Sequence, residues 1–137
     1  LGCNSFADHE IGRVIDKVRE VAPDAMIIYT SDHGEALGAH SLSLKGPSVY
    51  EEIAHIPMII KGGAYMKSPV GKVYEHVTSH IDLVPTFLDY FGIKVPGELH
   101  GVSMRPIIEN PENNTPDYRC IPSHSLHSFL CKKHTSF

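Results

Sequence analysis

With 137 residues, 42% apolar and 20% charged, the chain can form one domain with a buried core, and disorder is not its default state. The formal charge of −4 is spread along the sequence, and no Lys/Arg cluster could follow a phosphate backbone, which argues against a nucleic-acid partner. No apolar run, Ile56–Ile60 included, approaches the length needed to cross a bilayer.

The first segment reads as a helix. Ile11, Val14, Ile15, Val18 and Val21 recur at three- and four-residue steps, so they share one face. Asp8 suits the N-cap, and Pro23 stops the helix. Ala25–Thr30 follows as a continuous apolar run between Pro23-Asp24 and Ser31-Asp32, the pattern of a buried strand in a parallel sheet. A Gly-rich loop runs through Gly38 and Gly46 to a second buried strand, Ile56–Lys61, ended by Gly62-Gly63.

Residues 64–72 read as a surface loop and Val73–Thr78 as a short edge strand. A second helix starts at a cap on Asp82, tolerates Pro85 in its first turn, buries Val84, Leu88 and Phe91, and stops at Gly92. Residues 93–103 form a loop, and Met104–Glu109 one short helical turn. From Asn110 the chain becomes polar and rich in turn residues, and Ser123–Phe137 has no periodicity, so 110–137 reads as an irregular tail. The order of elements fits an α/β layered domain with too few strands for a complete doubly wound sheet.

Chemistry concentrates where the first strand ends. In α/β sheets ligands bind beyond the carboxyl ends of strands, and there Thr30-Ser31-Asp32-His33-Gly34-Glu35 replaces the apolar run. A carboxylate and an imidazole suit a divalent cation, and adjacent residues can share one where the strand breaks into a loop. Gly34 permits a close backbone approach. Lys45 offers a point charge for an anionic ester oxygen, and His40 a proton or hydrogen bond. A plainer reading fits the same spacing equally well: a capped turn in which Asp32 accepts backbone N–H groups and His33 lines the edge of the core. The three cysteines, Cys3, Cys120 and Cys131, form no Cys-x-x-Cys pair, which favours free thiols and a cytoplasmic setting.

Longer stretches carry a resemblance. Thr30-Ser31-Asp32-His33-Gly34-Glu35-Ala36-Leu37-Gly38-Ala39-His40, followed by Lys45-Gly46, closely resembles the second metal-binding signature of the sulfatases. Tyr50-Glu51-Glu52, His55–Ile60, Ser79–Thr86 and Gly101-Val102-Ser103-Met104 match later family segments in order, and Asp8–Asp16 the helix before the signature, so the likeness covers residues 4–109. It implies the alkaline-phosphatase-like α/β fold, present incompletely, with 1–109 as a partial catalytic domain. It implies Asp32 and His33 as ligands of a divalent metal: calcium, with manganese or magnesium as alternatives. Lys45, with His40, would meet a small-molecule sulfate or phosphonate ester.

Asp82 matches a family position for which its cap role is sufficient reason, and His9, His55, His76, His80 and His100 read as surface or packing residues. The family's Cys/Ser-x-Pro-x-Arg nucleophile segment and its early metal-binding aspartates are absent; Cys120-Ile121-Pro122-Ser123-His124 has the Pro but not the Arg. The expectation is therefore a fragment of a metal-dependent sulfuric ester hydrolase that is inactive by itself. A phosphonate monoester or phosphodiester hydrolase, favoured slightly by Asp-His in place of Asp-Asn, and a non-catalytic remnant module are the alternatives. Oligomeric state is not legible.

Overall fold

The computed structural model describes residues 2–46, 48–64, 66–67, 71, 73–74 and 77–110, together with the backbone of 118–122 and 129–133. Helix α1 (Gly2–Val21) leads through a Pro23-Asp24 turn into strand β1 (Ile27–Thr30). A loop with one 3₁₀ turn (Ala39–Ser41) precedes the single-turn helix α2 (Glu51–Ala54) and strand β2 (Met58–Lys61). A second 3₁₀ turn (His80–Asp82) runs into α3 (Leu83–Tyr90), followed by α4 (Arg105–Glu109) and the strands β3 (Tyr118–Pro122) and β4 (Phe129–Lys133).

The sheet departs from expectation. β1 pairs with β2 antiparallel, Ile27 opposite Lys61 and Thr30 opposite Met58, instead of in parallel. The connection from β1 to β2 doubles back through α2, so it is not the helical crossover that a parallel pair requires. Alternation sorts the side chains: Tyr29 and Ile59 are opposite one another on the exposed face, whereas Ile60 packs on the core. Lys61 Nζ donates to the carbonyls of Pro23 (3.1 Å) and Ala25 (3.4 Å), fixing the approach of the chain to β1.

Helix α1 begins at Gly2, six residues before the expected cap, so Asp8 lies inside the helix and caps nothing. The helix is supported locally by exposed i,i+3 ion pairs, Glu10–Arg13, Asp16–Arg19 and Lys17–Glu20. Such pairs contribute only a few tenths of a kcal/mol each. None of its residues is buried; Val14 and Val21 remain 63% and 64% exposed. The stripe of Ile11, Val14 and Ile15 borders an apolar groove of about 320 Å³ against Ile27 and Ile28.

The best-packed region lies at α3 and α4. Met104, Ile107 and Ile108 are buried together, with Ile60, Met66, Leu83 and Tyr90 against them. The expected buried face of α3 is corrected: Val84 and Phe91 are exposed, and Pro85 and Thr86 are the residues inside. The helix meets the core through Leu83 and Tyr90, which leaves Val84 and Phe91 on the side turned to solvent. Its ending is as expected. Gly92, at φ +68°, lets its own N–H reach Asp89 O (3.0 Å) and the Ile93 N–H reach Leu88 O (2.8 Å), a Schellman motif.

Asp82 does not cap α3 with its side chain. It is fully buried, and its carboxylate reaches back to Ser79 N–H (2.9 Å) and across to Val102 N–H (2.9 Å). With the Ser79 hydroxyl this forms a capping box around the 3₁₀ turn. Thr86 extends the hub by donating to Asp82 O (2.5 Å) and accepting from Met104 N–H (2.8 Å). Gly101 is required beside it, because a Cβ there would lie 1.9 Å from Ile81 O. Tyr90 packs beneath Arg105, whose guanidinium carbon is 5.0 Å from the ring centroid. Among the described residues its buried hydroxyl has no partner, and burial, with the Glu109 charge adding, pushes the phenol up to about 12.

Two further expectations meet a different outcome. Val73, Tyr74, Val77 and Thr78 form no strand, while 75 and 76 lie outside the described residues. The Tyr74 hydroxyl instead donates to Ile108 O (2.9 Å). In the segment read as an irregular tail, β3 and β4 pair antiparallel with Cys120 opposite Cys131. Among the described residues no helix is long and apolar enough to cross a membrane.

The hub yields a direct prediction. Asp82→Ala would leave the Ser79 and Val102 N–H groups without their carboxylate, at about 1–3 kcal/mol each. We expect urea denaturation to show a loss of about 2–5 kcal/mol, with Gly101→Ala similarly damaging through its clash.

Candidate active site

The site forms where β1 gives way to the loop. The strand ends because Gly34 and Glu35 bond elsewhere: Gly34 N–H donates to Ile53 O (2.8 Å) and Glu35 N–H to Glu52 O (3.0 Å). The approach is so close that a Cβ on residue 34 would be 1.9 Å from Glu52 O, so glycine is the residue this contact permits. Ala36 and Ile53, both buried, fill the space beneath. Asp32 and His33 are thereby held between a strand and a fixed loop.

The partners of His33 define its state. Its Nδ1 lies 2.7 Å from the carbonyl of Gly34, which can only accept, so Nδ1 carries the proton. Its Nε2 lies 2.6 Å from Lys45 Nζ, an ammonium that can only donate. The imidazole is therefore neutral, with its lone pair on Nε2. Asp32 Oδ2 lies 3.3 Å from that nitrogen, while Asp32 Oδ1 accepts from His33 N–H (3.0 Å). Ser31 Oγ donates to His33 O (2.8 Å) and lies 3.4 Å from Asp32 Oδ1.

The turn in which Asp32 accepts a backbone N–H is present. One carboxylate oxygen closes a local turn, and the other converges with the imidazole nitrogen. The residues fit a divalent cation. A carboxylate oxygen and a neutral imidazole nitrogen point to one place, and the second imidazole nitrogen is tied to a backbone carbonyl, the usual device for orienting a ligand histidine. Among the described residues no cluster of three or more His, Cys, Asp or Glu side chains forms there, so the chain offers two such donors.

Lys45 joins this pair directly. His40 does not: its ring stacks on Tyr50 (centroids 3.8 Å apart, planes 12° apart), and its Nε2 lies 3.3 Å from Glu52 Oε2. Tyr50 and Glu52 are the site-supporting residues whose role the sequence does not declare, because their link to His40 exists only once the 34–35 backbone docks on 52–53. His80 also has a specific neighbour, its Nε2 lying 3.3 Å from Thr30 Oγ1 at the strand end. His55 pairs with Glu51 at 3.0 Å on the surface. The loop pays in backbone strain: Leu37, His40, Ser41 and Leu44 all have positive φ, at about 1–2 kcal/mol for each non-glycine residue.

Residues 1–93 match the family described as Sulfatase. The uncharacterized sulfatase YidJ of Escherichia coli K12 is 42% identical over 112 residues, 80% of this chain and 21% of that protein. Among solved structures, BT4656 in complex with its substrate D-glucosamine-2-N,6-O-disulfate superposes with a TM-score of 0.72 at 32% identity, over 82% of this chain and 23% of that one. The phosphonate monoester hydrolase SpPMH of Silicibacter pomeroyi gives 0.68 at 36% identity, over 82% and 22%. These neighbours define the class as the alkaline-phosphatase-like α/β fold, present here in part. The chain belongs to the sulfatase family. It spans about a fifth of the length of YidJ.

The carboxyl of Asp32 is held below the ordinary aspartate value of 3.8, chiefly by the His33 N–H on Oδ1. The Lys45 charge adds to this against an opposing desolvation. A depressed value favours the folded state above the ordinary pKa, and that contribution is lost as pH falls through the folded value. A carbon-detected NMR titration is expected to place the Asp32 midpoint below 3.8, moving upward in Lys45→Met.

Proposed function

We propose that this chain supplies the cation- and anion-holding edge of a sulfuric ester hydrolase acting on small-molecule sulfate esters. The observation that carries the reading is the convergence of Asp32 Oδ2 and His33 Nε2 at 3.3 Å, with Lys45 Nζ 2.6 Å from the same nitrogen. Asp32 and His33 would hold a divalent cation, which when bound neutralises charge on the ester's oxygens. Calcium is the metal the family resemblance implies; the imidazole donor would also accept manganese.

The chain's own residues do the rest. The Gly34 carbonyl keeps the Nε2 lone pair of His33 available and aimed. Asp32 stays ionised to low pH and so remains a donor. Lys45 brings a mobile positive charge on a long stem, able to leave His33 for an anionic oxygen of the ester. These groups provide electrostatic stabilisation of developing negative charge. None of them is placed as the attacking nucleophile.

Phosphonate monoester hydrolysis is a second reading with its own support: the Asp-His donor pair and the 36% identity to SpPMH. Binding of an aryl sulfate and of an aryl phosphonate to the chain, compared by calorimetry and weakened in Lys45→Met, separates the two.

Manganese binding followed by electron paramagnetic resonance, and calcium binding by calorimetry, test the cation site. With two protein donors we expect a Kd of about 10⁻⁴ M or weaker. Asp32→Ala and His33→Ala should each weaken it roughly tenfold or more, whereas Lys45→Met, which removes a neighbouring positive charge, should not weaken it. Affinity indifferent to both alanine variants would refute the assignment. Cleavage of an aryl sulfate by the chain itself, abolished by Asp32→Ala, would overturn its restriction to electrostatics.

A further inference from the structure

Between Ala36 and Lys45 the loop turns through five residues at positive φ: Leu37 (47°), Gly38 (94°), His40 (55°), Ser41 (59°) and Leu44 (79°). Four of these are not glycine, so the conformation persists only if contacts over-determine it. The local backbone bonds Ala39 N–H to Ala36 O, Gly38 N–H to Leu42 O and Leu42 N–H to Ala39 O close the turn upon itself. They do not attach it to anything else.

Before Lys45, the side-chain attachment seen among the described residues is made by His40. His40 lies flat on Tyr50, with its Nε2 3.3 Å from Glu52 Oε2. Glu52 is also the residue whose carbonyl accepts Glu35 N–H at the start of the same loop. One residue therefore grips the loop twice, through its backbone at Glu35 and through its side chain at His40. The span between Glu35 and His40 is closed into a ring, and Lys45 leaves that ring five residues later.

We propose that His40, Tyr50 and Glu52 form a latch that sets the position of Lys45 over His33, so that His40 is a positioning residue and not a substrate contact. The functional weight of the latch rests on the hydrolase reading above, but its existence does not. A flexible lysine reaches many places from a mobile loop. Fixing the loop at residue 40 confines its ammonium to the neighbourhood of Nε2, where the 2.6 Å contact is found. The stack supplies flat contact area with little entropy to lose, and the carboxylate selects which edge of the ring faces inward.

The test uses the full chain without cation or substrate, reading amide hydrogen exchange at Gly38, Ala39 and Leu42 and the ¹⁵N signal of His33 Nε2. Glu52→Gln and His40→Ala are each expected to speed exchange at these amides roughly five- to tenfold, about 1–1.4 kcal/mol at 1.4 kcal/mol per factor of ten. The double variant should be no faster than either single one, since both remove the same contact. Tyr50→Leu should behave likewise and Tyr50→Phe should retain protection, because the phenyl ring preserves the stack. In the loosened variants the His33 Nε2 signal should move toward that of an imidazole without an ammonium neighbour.

Unchanged exchange in Glu52→Gln, a variant that preserves side-chain volume, would overturn the latch even if His40→Ala failed to fold. Faster exchange with an unmoved His33 signal would overturn its positioning role. Neither result bears on cation binding, so loss of the hydrolase reading and loss of the latch are separately visible.

Discussion

Two backbone hydrogen bonds, Gly34 N–H to Ile53 O and Glu35 N–H to Glu52 O, govern the arrangement of everything that bears chemistry in this chain. They require that residue 34 have no side chain, since a Cβ would sit inside van der Waals range of Glu52 O. Once made, they end β1, bend Asp32 and His33 out of the strand's alternation and bring α2 beneath the loop. The carbonyl of Gly34 then serves a second purpose by taking the Nδ1 proton of His33. One glycine thus determines both the path of the backbone and the tautomer of the neighbouring imidazole.

A separate constraint organises the other end of the molecule. Asp82 is a buried carboxylate whose oxygens are taken up by the backbone N–H groups of Ser79 and Val102. A buried charge is tolerated only when hydrogen-bonded, and here the bonds tie residues twenty positions apart. Thr86 passes the constraint on to Met104, the first residue of the small core. The two ends communicate where Ile60 of β2 packs on that core and where His80, at the head of the Asp82 turn, meets Thr30 at the tip of β1.

Much of this was legible from the residues. Pro23, Gly62-Gly63 and Gly92 punctuate the chain where the elements end, because their backbone preferences act locally. The Asp32-His33-Gly34 cluster at a strand end is likewise a local signal, and Lys45 lies against its imidazole. Strand direction was not legible: a short apolar run such as Ile27–Thr30 has the same pattern whichever way its partner runs. The solvent side of α3 was also hidden, since Val84 and Phe91 follow helical spacing but face outward, while Pro85 and Thr86 are buried and Leu83 and Tyr90 pack on the core. The contacts of His40 depend on a docking event ten residues downstream that no spacing rule encodes. The pairing of β3 with β4 arises in a stretch with no periodicity to announce it.

Helix α1 has a thermodynamic character different from the rest. Its 20 residues exceed the 12–15 at which an isolated helix becomes marginal in water, it has three internal ion pairs, and none of its side chains is buried. Its helicity is therefore only loosely tied to the Met104–Ile107–Ile108 core, and heating would melt the two as separate populations. Far-ultraviolet circular dichroism, dominated by this longest helix, would follow helix–coil behaviour, while the integrity of the Asp82 hub would change on a curve of its own. A single midpoint temperature would then be an average over two unlike transitions and describe neither.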